Sequence, residues 1–253
     1  MAPIALLALL GGCRVIDAPD NLEELMVFAF DGFEDERVMR ASVDELLPLV
    51  DENLAELEDG YLIDQLTVED LASIGVEVES TENITGAMGR VPYRHGVDDV
   101  MQVVTAENKD EIMDHIEAFE VVDQTDRECF FAHTCATYTQ EVRETARVAI
   151  LGASERHYTH TARWIDHPEL GPIAAIRALS PEPIEFTSGL ARVDQQYGLA
   201  FVVPEGDAAV RIEAFWVDAV ALGIQLPDGF AVNTAVNQMA NTAEMIDAIL
   251  DGD

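Results

Sequence analysis

Lysine is nearly missing from this chain: of its 14 basic residues only Lys109 is a lysine, and they face 49 aspartates and glutamates. The formal net charge of −35 repels phosphate backbones and so excludes nucleic acid as a partner. It also repels anionic lipid headgroups, so the sequence alone assigns any membrane attachment to acyl chains and not to the protein surface. An acidic, lysine-poor surface fits a saline habitat, where salt screens self-repulsion beyond about 8 Å. Long apolar runs are missing after the first residues: even Ala214 to Leu226 is broken by Asp218 and Gln225, which excludes a second hydrophobic span. Catalytic signatures are missing as well. There is no G-x-S-x-G elbow, no H-E-x-x-H and no D-x-[DN]-x-[DN]-G calcium register, and Gly86-Ala87-Met88-Gly89 lacks the glycines and lysine of a phosphate loop. No cofactor or metal site is expected from sequence.

What is present begins at the N-terminus. Pro3 to Leu10 is an uncharged apolar stretch of eight residues, the length of a secretory hydrophobic core and far short of the ~20 that span a bilayer. It runs into Leu10-Gly11-Gly12-Cys13, where two small residues leave the backbone open to a peptidase. This segment resembles the lipobox of bacterial lipoprotein precursors, although Met1-Ala2 carries no basic residue where such signals normally open with Lys or Arg. The resemblance implies cleavage after Gly12 and a diacylglyceryl thioether with an N-acyl group, such as palmitate, on Cys13. It further implies a membrane-anchored protein of the cell envelope. Arg14 stands where an aspartate would signal inner-membrane retention, so the implied address is the outer membrane, facing the periplasm or the exterior. The competing reading is a first strand over residues 3–10 with Cys13 buried.

Lipidation of Cys13 would leave Cys129 and Cys135, which enclose Phe130-Phe131-Ala132-His133-Thr134. Three readings stand for this pair: a disulfide closing a short loop in an oxidising envelope, two buried thiols, or a Cys129/His133/Cys135 metal site.

Periodicity divides the chain into a signal peptide (1–12), a lipidated tether (13–21), a mostly helical region (22–136) and an antiparallel sheet with a terminal helix (137–253), the last two able to form one domain. Asn21 with Glu24 opens a helix whose apolar face is Leu22, Leu25, Met26, Ala29 and Phe33. A second helix over 36–57 is expected to kink or break near Leu47, ahead of Pro48. Thr67 with Asp70 starts a short helix that Gly75 stops. Residues 76–96 read as loop, 100–104 as a strand and 106–118 as a helix. Strands are predicted over 147–151, 158–165, 173–179, 184–187, 193–203 and 210–220. The last two form a hairpin about Pro204-Glu205-Gly206-Asp207, with Val193, Tyr197, Leu199, Phe201 and Val203 on one face. Asp228 caps a long helix with a stripe of Val232, Val236, Met239, Ala243, Ile246 and Leu250. The fold class is therefore α+β. A run of antiparallel strands closing on a long helix is similar to the helix-grip arrangement of the START and Bet v 1 superfamily. That resemblance implies a curved sheet around the helix and an apolar cavity between them; the competing reading is an ordinary helix packed on a filled sheet.

Two functional classes follow. The first is a lipid-anchored, non-enzymatic envelope module that binds a small apolar molecule or another envelope protein. The second is an anchored hydrolase or metal-dependent enzyme drawing on His133, His157, His160, His167 and Asp166. Alternation along a strand puts His157 and His160 on opposite faces, which argues against their sharing a metal.

Overall fold

The computed structural model describes residues 16–225 and 228–252. Leu10-Gly11-Gly12-Cys13 lies outside the described residues. The chain begins with four helices, α1 (Leu22–Asp31), α2 (Glu36–Glu52), α3 (Leu54–Asp59) and α4 (Val68–Ser73), with the short strand β1 (Tyr61–Ile63) before α4. Asn21 caps α1 by accepting from the Glu24 amide, and Thr67 and Asp70 close a reciprocal capping box on α4. Helix α2 runs through Pro48 without a break and ends at Asn53, because its apolar face (Met39, Val43, Leu46, Val50) stays buried on both sides of the proline.

Then come β2 (Thr85–Tyr93), α5 (Val97–Val104), α6 (Lys109–Ile112), β3 (Ile116–Gln124), α7 (Arg127–Phe131), β4 (Thr137–Val148) and β5 (Gly152–His167). The chain continues through β6 (Gly171–Ser180), β7 (Ile184–Glu185), β8 (Ala191–Glu205), β9 (Ala208–Ala221), β10 (Ile224–Gln225) and α8 (Asp228–Asp251). All pairings are antiparallel, in the order β1-β2-β9-β8-β6-β5-β4-β3. The strand before the α5–α6 pair thus lies beside the last long strand, and the strand after the pair forms the far edge. With the terminal α8 this is the helix-grip topology, occupying residues 85–251.

Three local expectations are corrected. Residues 85–93 are a strand and not loop, because they pair with β9 along their whole length. Residues 97–104 are a helix and not a strand: Val97, Val100, Met101 and Val104 recur at i, i+3, i+4 and i+7, and all are buried. The helix expected over 106–118 is only α6, because from Ile116 the backbone is taken by β3 pairing with β4.

The sheet is covered on both faces. The outer face carries Ile165, Ala175, Tyr197, Leu199, Phe201, Ile212, Ala214 and Trp216, buried against α1 to α4. The inner face carries Ala162, Trp164, Ala174, Ile176, Ala200 and Val202, in one core with α5 and with Val232, Met239, Ala243 and Ile246 of α8. The hairpin side predicted to be buried is the outer one, so α1 to α4 cover it and α8 does not. Val193 leaves that side: a register shift between Val193 and Gln195 inserts one residue and turns Val193 to the opposite face.

Candidate functional site

The inner face carries the densest buried chemistry of the described residues. Its centre is floored by small residues, Ala162, Ala178, Gly198 and Ala200, contributed by three adjacent strands. Nothing approaches a Cβ built on Gly198 closer than 3.8 Å, so this floor is low by composition and not because neighbours press on it. Over Ala178 and Gly198 lies a cavity of about 130 Å³, walled by Arg156, Tyr158, Ser180, Gln196, Glu213 and Phe215, together with Tyr197. That is close to the ~150 Å³ that accepts a benzene ring in an apolar core. The expected apolar cavity has a mixed wall: charged and hydroxyl groups of Arg156, Glu213, Tyr158 and Ser180 share it with Ala178, Gly198 and Phe215.

Those polar groups come from strand alternation. Tyr138, Gln140, Val142 and Glu144 of β4 stand opposite Ala162, His160, Tyr158 and Arg156 of β5, all directed inward. The Glu144 side chain is 1% exposed. It accepts from Arg156 Nε at 2.9 Å and from the Tyr158 hydroxyl at 3.1 Å. On β9, Arg211 donates to Glu213 at 2.8 Å and reaches the Tyr93 hydroxyl at 3.5 Å. Burial, with Glu144 adding to it, pushes the Tyr158 phenol far above its usual range. Burial, followed by the charges of Lys109 and Arg211, lowers His160 to about 3, so this imidazole is neutral. Burial likewise lowers Lys109 to about 8. Three buried polar atoms of this region have no hydrogen-bond partner among the described residues: Gln140 Oε1, His160 Nδ1 and Arg211 Nε.

A second, open groove of about 1010 Å³ also begins at Arg156. It follows β4, β5 and residues 182–187, and its wall includes Glu144 and Ser154 from the inner face and Arg143, Glu155 and His157 from the outer face. The sheet has a gap there. β5 pairs with β6 only as far as Thr159–Leu179 and regains a partner at Ser154–Phe186.

The histidines that the sequence singles out do not converge. His157 faces outward and contacts Glu141 at 2.9 Å, while His160 faces inward. His133 lies against the Trp164 ring, and His167 is 3.6 Å from Asp44. Asp166 is exposed near the end of β5. Among the described residues no three His, Cys, Asp or Glu side chains are grouped to hold a metal. Cys129 and Cys135 are joined by a disulfide, with Cα atoms 5.3 Å apart. It closes the turn after α7 and fixes Phe130, which stacks on Trp164 at 5.0 Å and accepts the indole N–H through its carbonyl oxygen.

Sequence reasoning passes over Glu144, Arg156, Tyr158, Arg211 and Lys109 because isolated charges in strands read as solvated. The available signal is alternation: Glu144 and Arg156 share a strand parity with the apolar Tyr138, Val142, Ala162 and Trp164.

The sequence matches no protein-family model, and no curated protein is similar to it at a significant level. Among solved structures, a START superfamily protein from Mycobacterium smegmatis is 9% identical with a TM-score of 0.43, over 66% of this chain and 97% of that one. Human StAR-related lipid transfer protein 5 is 11% identical with a TM-score of 0.42, over 85% and 97%. Norcoclaurine synthase from Thalictrum flavum is 12% identical with a TM-score of 0.37, over 66% and 86%. The likeness is one of architecture; the strand order and the terminal helix are what establish the helix-grip fold here.

Proposed function

We propose that this chain is a non-enzymatic binding module that takes a small amphipathic molecule into the inner face of its sheet, and that it works at a membrane, held there by an acylated Cys13. The observation that carries the binding reading is the inner cavity itself, floored by Ala178 and Gly198 and walled by Arg156, Tyr158, Ser180 and Phe215. A packed interior keeps few voids of this size, and one whose wall combines small and aromatic residues with charged and hydroxyl groups is suited to an amphipathic guest.

Two observations support the membrane reading. One is the apolar run ending at Leu10-Gly11-Gly12-Cys13. The other is a rim at one end of the sheet, where three uncharged segments meet: 148–154, 186–191 and 219–225. They are joined by Ser188 N donating to Leu151 O at 3.1 Å and Leu222 N donating to Leu190 O at 2.7 Å. Ile150 is 88% exposed, Leu222 74% and Ile224 70%. Ile150 and Leu222 hold positive φ values of 73° and 53°, a conformation that bulky residues rarely adopt. An uncharged rim on a chain this acidic suits contact with acyl chains better than contact with water.

Native mass spectrometry of protein purified without detergent tests the binding reading. The wild type should carry a 1:1 small-molecule adduct. Gly198→Leu, which fills the floor, should keep the fold by circular dichroism and lose the adduct. An adduct equally present in both proteins, or absent from both, contradicts the reading.

A further inference from the structure

The large apolar side chains that this molecule exposes are gathered at one end of its sheet. Val148, Ile150, Leu190, Leu222 and Ile224 all lie in the uncharged segments 148–154, 186–191 and 219–225. The others among the described residues lie one each on α3, β1, α4, β3 and the β5–β6 turn. Ile150 occupies the turn between β4 and β5, and Leu222 the turn between β9 and β10. Their positive φ values are ones for which a turn ordinarily takes glycine or asparagine. Both side chains are mostly exposed, so little packing inside the fold offsets that strain. The three segments are tied together through their backbones, by Thr187 N donating to Ala153 O at 2.9 Å as well as by the Ser188–Leu151 and Leu222–Leu190 bonds. Backbone groups that are already paired leave water at lower cost.

Charge decides what this rim can meet. The flanking arginines are neutralised, Arg147 by Glu117 and Arg192 by Asp194, while Glu155 and Glu185 are exposed and have no ion pair among the described residues. The collar around the rim is therefore acidic. A second copy of the chain would bring another net charge of −35 against it, and an anionic lipid surface is repelled in the same way. An uncharged, fluid surface into which projecting side chains can sink meets neither obstacle.

We propose that Ile150, Leu222 and Ile224 penetrate a zwitterionic bilayer, and that this contact disfavours anionic lipid. The proposal rests on the membrane reading above but needs no acyl chain on Cys13. Ala153, Ser154, Phe186 and Thr187 of the rim segments also line the open groove. A rim seated in a bilayer therefore brings that groove, which shares Arg156 with the inner cavity, against the lipid.

Vesicle flotation of the full chain carrying Cys13→Ser, which removes the sulfur that would be acylated, tests the contact. At pH 7 and low salt the protein should float with phosphatidylcholine vesicles and bind about tenfold more weakly when about a third of the lipid is phosphatidylglycerol, a gap that molar salt should close. Adding Ile150→Asn and Leu222→Asn should weaken binding to phosphatidylcholine about tenfold. Asparagine tolerates positive φ, so this variant should melt no lower than its parent. Equal or tighter binding to the anionic vesicles would overturn the lipid class. Binding unchanged by the two asparagines would overturn the rim as the point of contact. Flotation with neither vesicle would overturn insertion while leaving an acyl anchor on Cys13 untouched. A dimer in sedimentation that the two asparagines dissolve would assign the rim to a second copy instead.

Discussion

At the scale of single residues, two buried titrating groups act on stability with opposite signs. Burial, and then the charge of the neighbouring Asp70, raise Asp31 to about 6. The native state therefore holds this proton more tightly than the unfolded chain does. The resulting stabilisation is present below pH 3.8 and is lost as pH rises through 6. Asp31→Asn should accordingly raise stability at pH 7 by about 1 kcal/mol, the full shift being discounted for solvent screening, and the gain should vanish near pH 4 in urea titrations. His160 behaves oppositely. Its pKa is depressed from 6.5 to about 3, so its contribution is intact above pH 6.5 and is lost as pH falls toward 3. In the Asp31→Asn background, where the opposing slope is gone, the urea midpoint should drop between pH 6.5 and 4. Adding His160→Gln should flatten that drop; an unchanged slope would place the acid sensitivity elsewhere.

At the scale of elements, the sequence is legible where periodicity and punctuation agree and misleading where glycine serves clearance. Helices α1, α4 and α8 and the β8–β9 hairpin all carry apolar stripes bounded by caps or turns, and all are present. Strand β2 is unreadable because Gly86, Gly89 and Pro92 look like breaks. The glycines are there because neighbours pass close: a Cβ on Gly86 would lie 2.9 Å from Trp216 Cδ1, and one on Gly89 would lie 3.1 Å from Met239 Sδ of α8. Nothing local to residues 85–93 reveals those neighbours, which arrive more than a hundred residues later. Gly89→Val should force α8 away from the sheet, cost about 1–3 kcal/mol and open the inner face. Lowered stability together with new binding of a hydrophobic dye is the expected pair of readings, and a variant with unaltered stability would contradict the packing described for α8. Helix α5 misleads for a different reason. Its four valines favour strand by propensity, but Val97, Val100, Met101 and Val104 lie on one helical face, and burial of that face prevails.

At the scale of the whole molecule, a helix-grip sheet is enclosed twice, by α1 to α4 outside and by α5 and α8 inside. Arg163 and Arg177, nearly buried in the sheet, reach the Glu34 carboxylate and fasten the outer layer. The surface charge is the opposing term: with a net charge of −35, folding crowds carboxylates whose repulsion salt relieves. The melting temperature should climb from low to molar salt, and a flat response would remove the argument for a saline habitat. The class of fold is legible from the order of elements, whereas the inner site is not, because it needs side chains from β4, β5, β6, β8 and β9 in register. That register also supplies the most direct test of an interior ligand site. In protein labelled at alanine methyls, Ala162, Ala178 and Ala200 report the inner face, and Ala175 and Ala214 report the outer face. Titration with benzyl alcohol, a small amphipathic probe, followed by methyl NMR, should shift Ala178, which lines the cavity, and leave Ala175 and Ala214 in place. Shifts confined to Ala175 and Ala214, or no shift at all, would contradict an inner binding site.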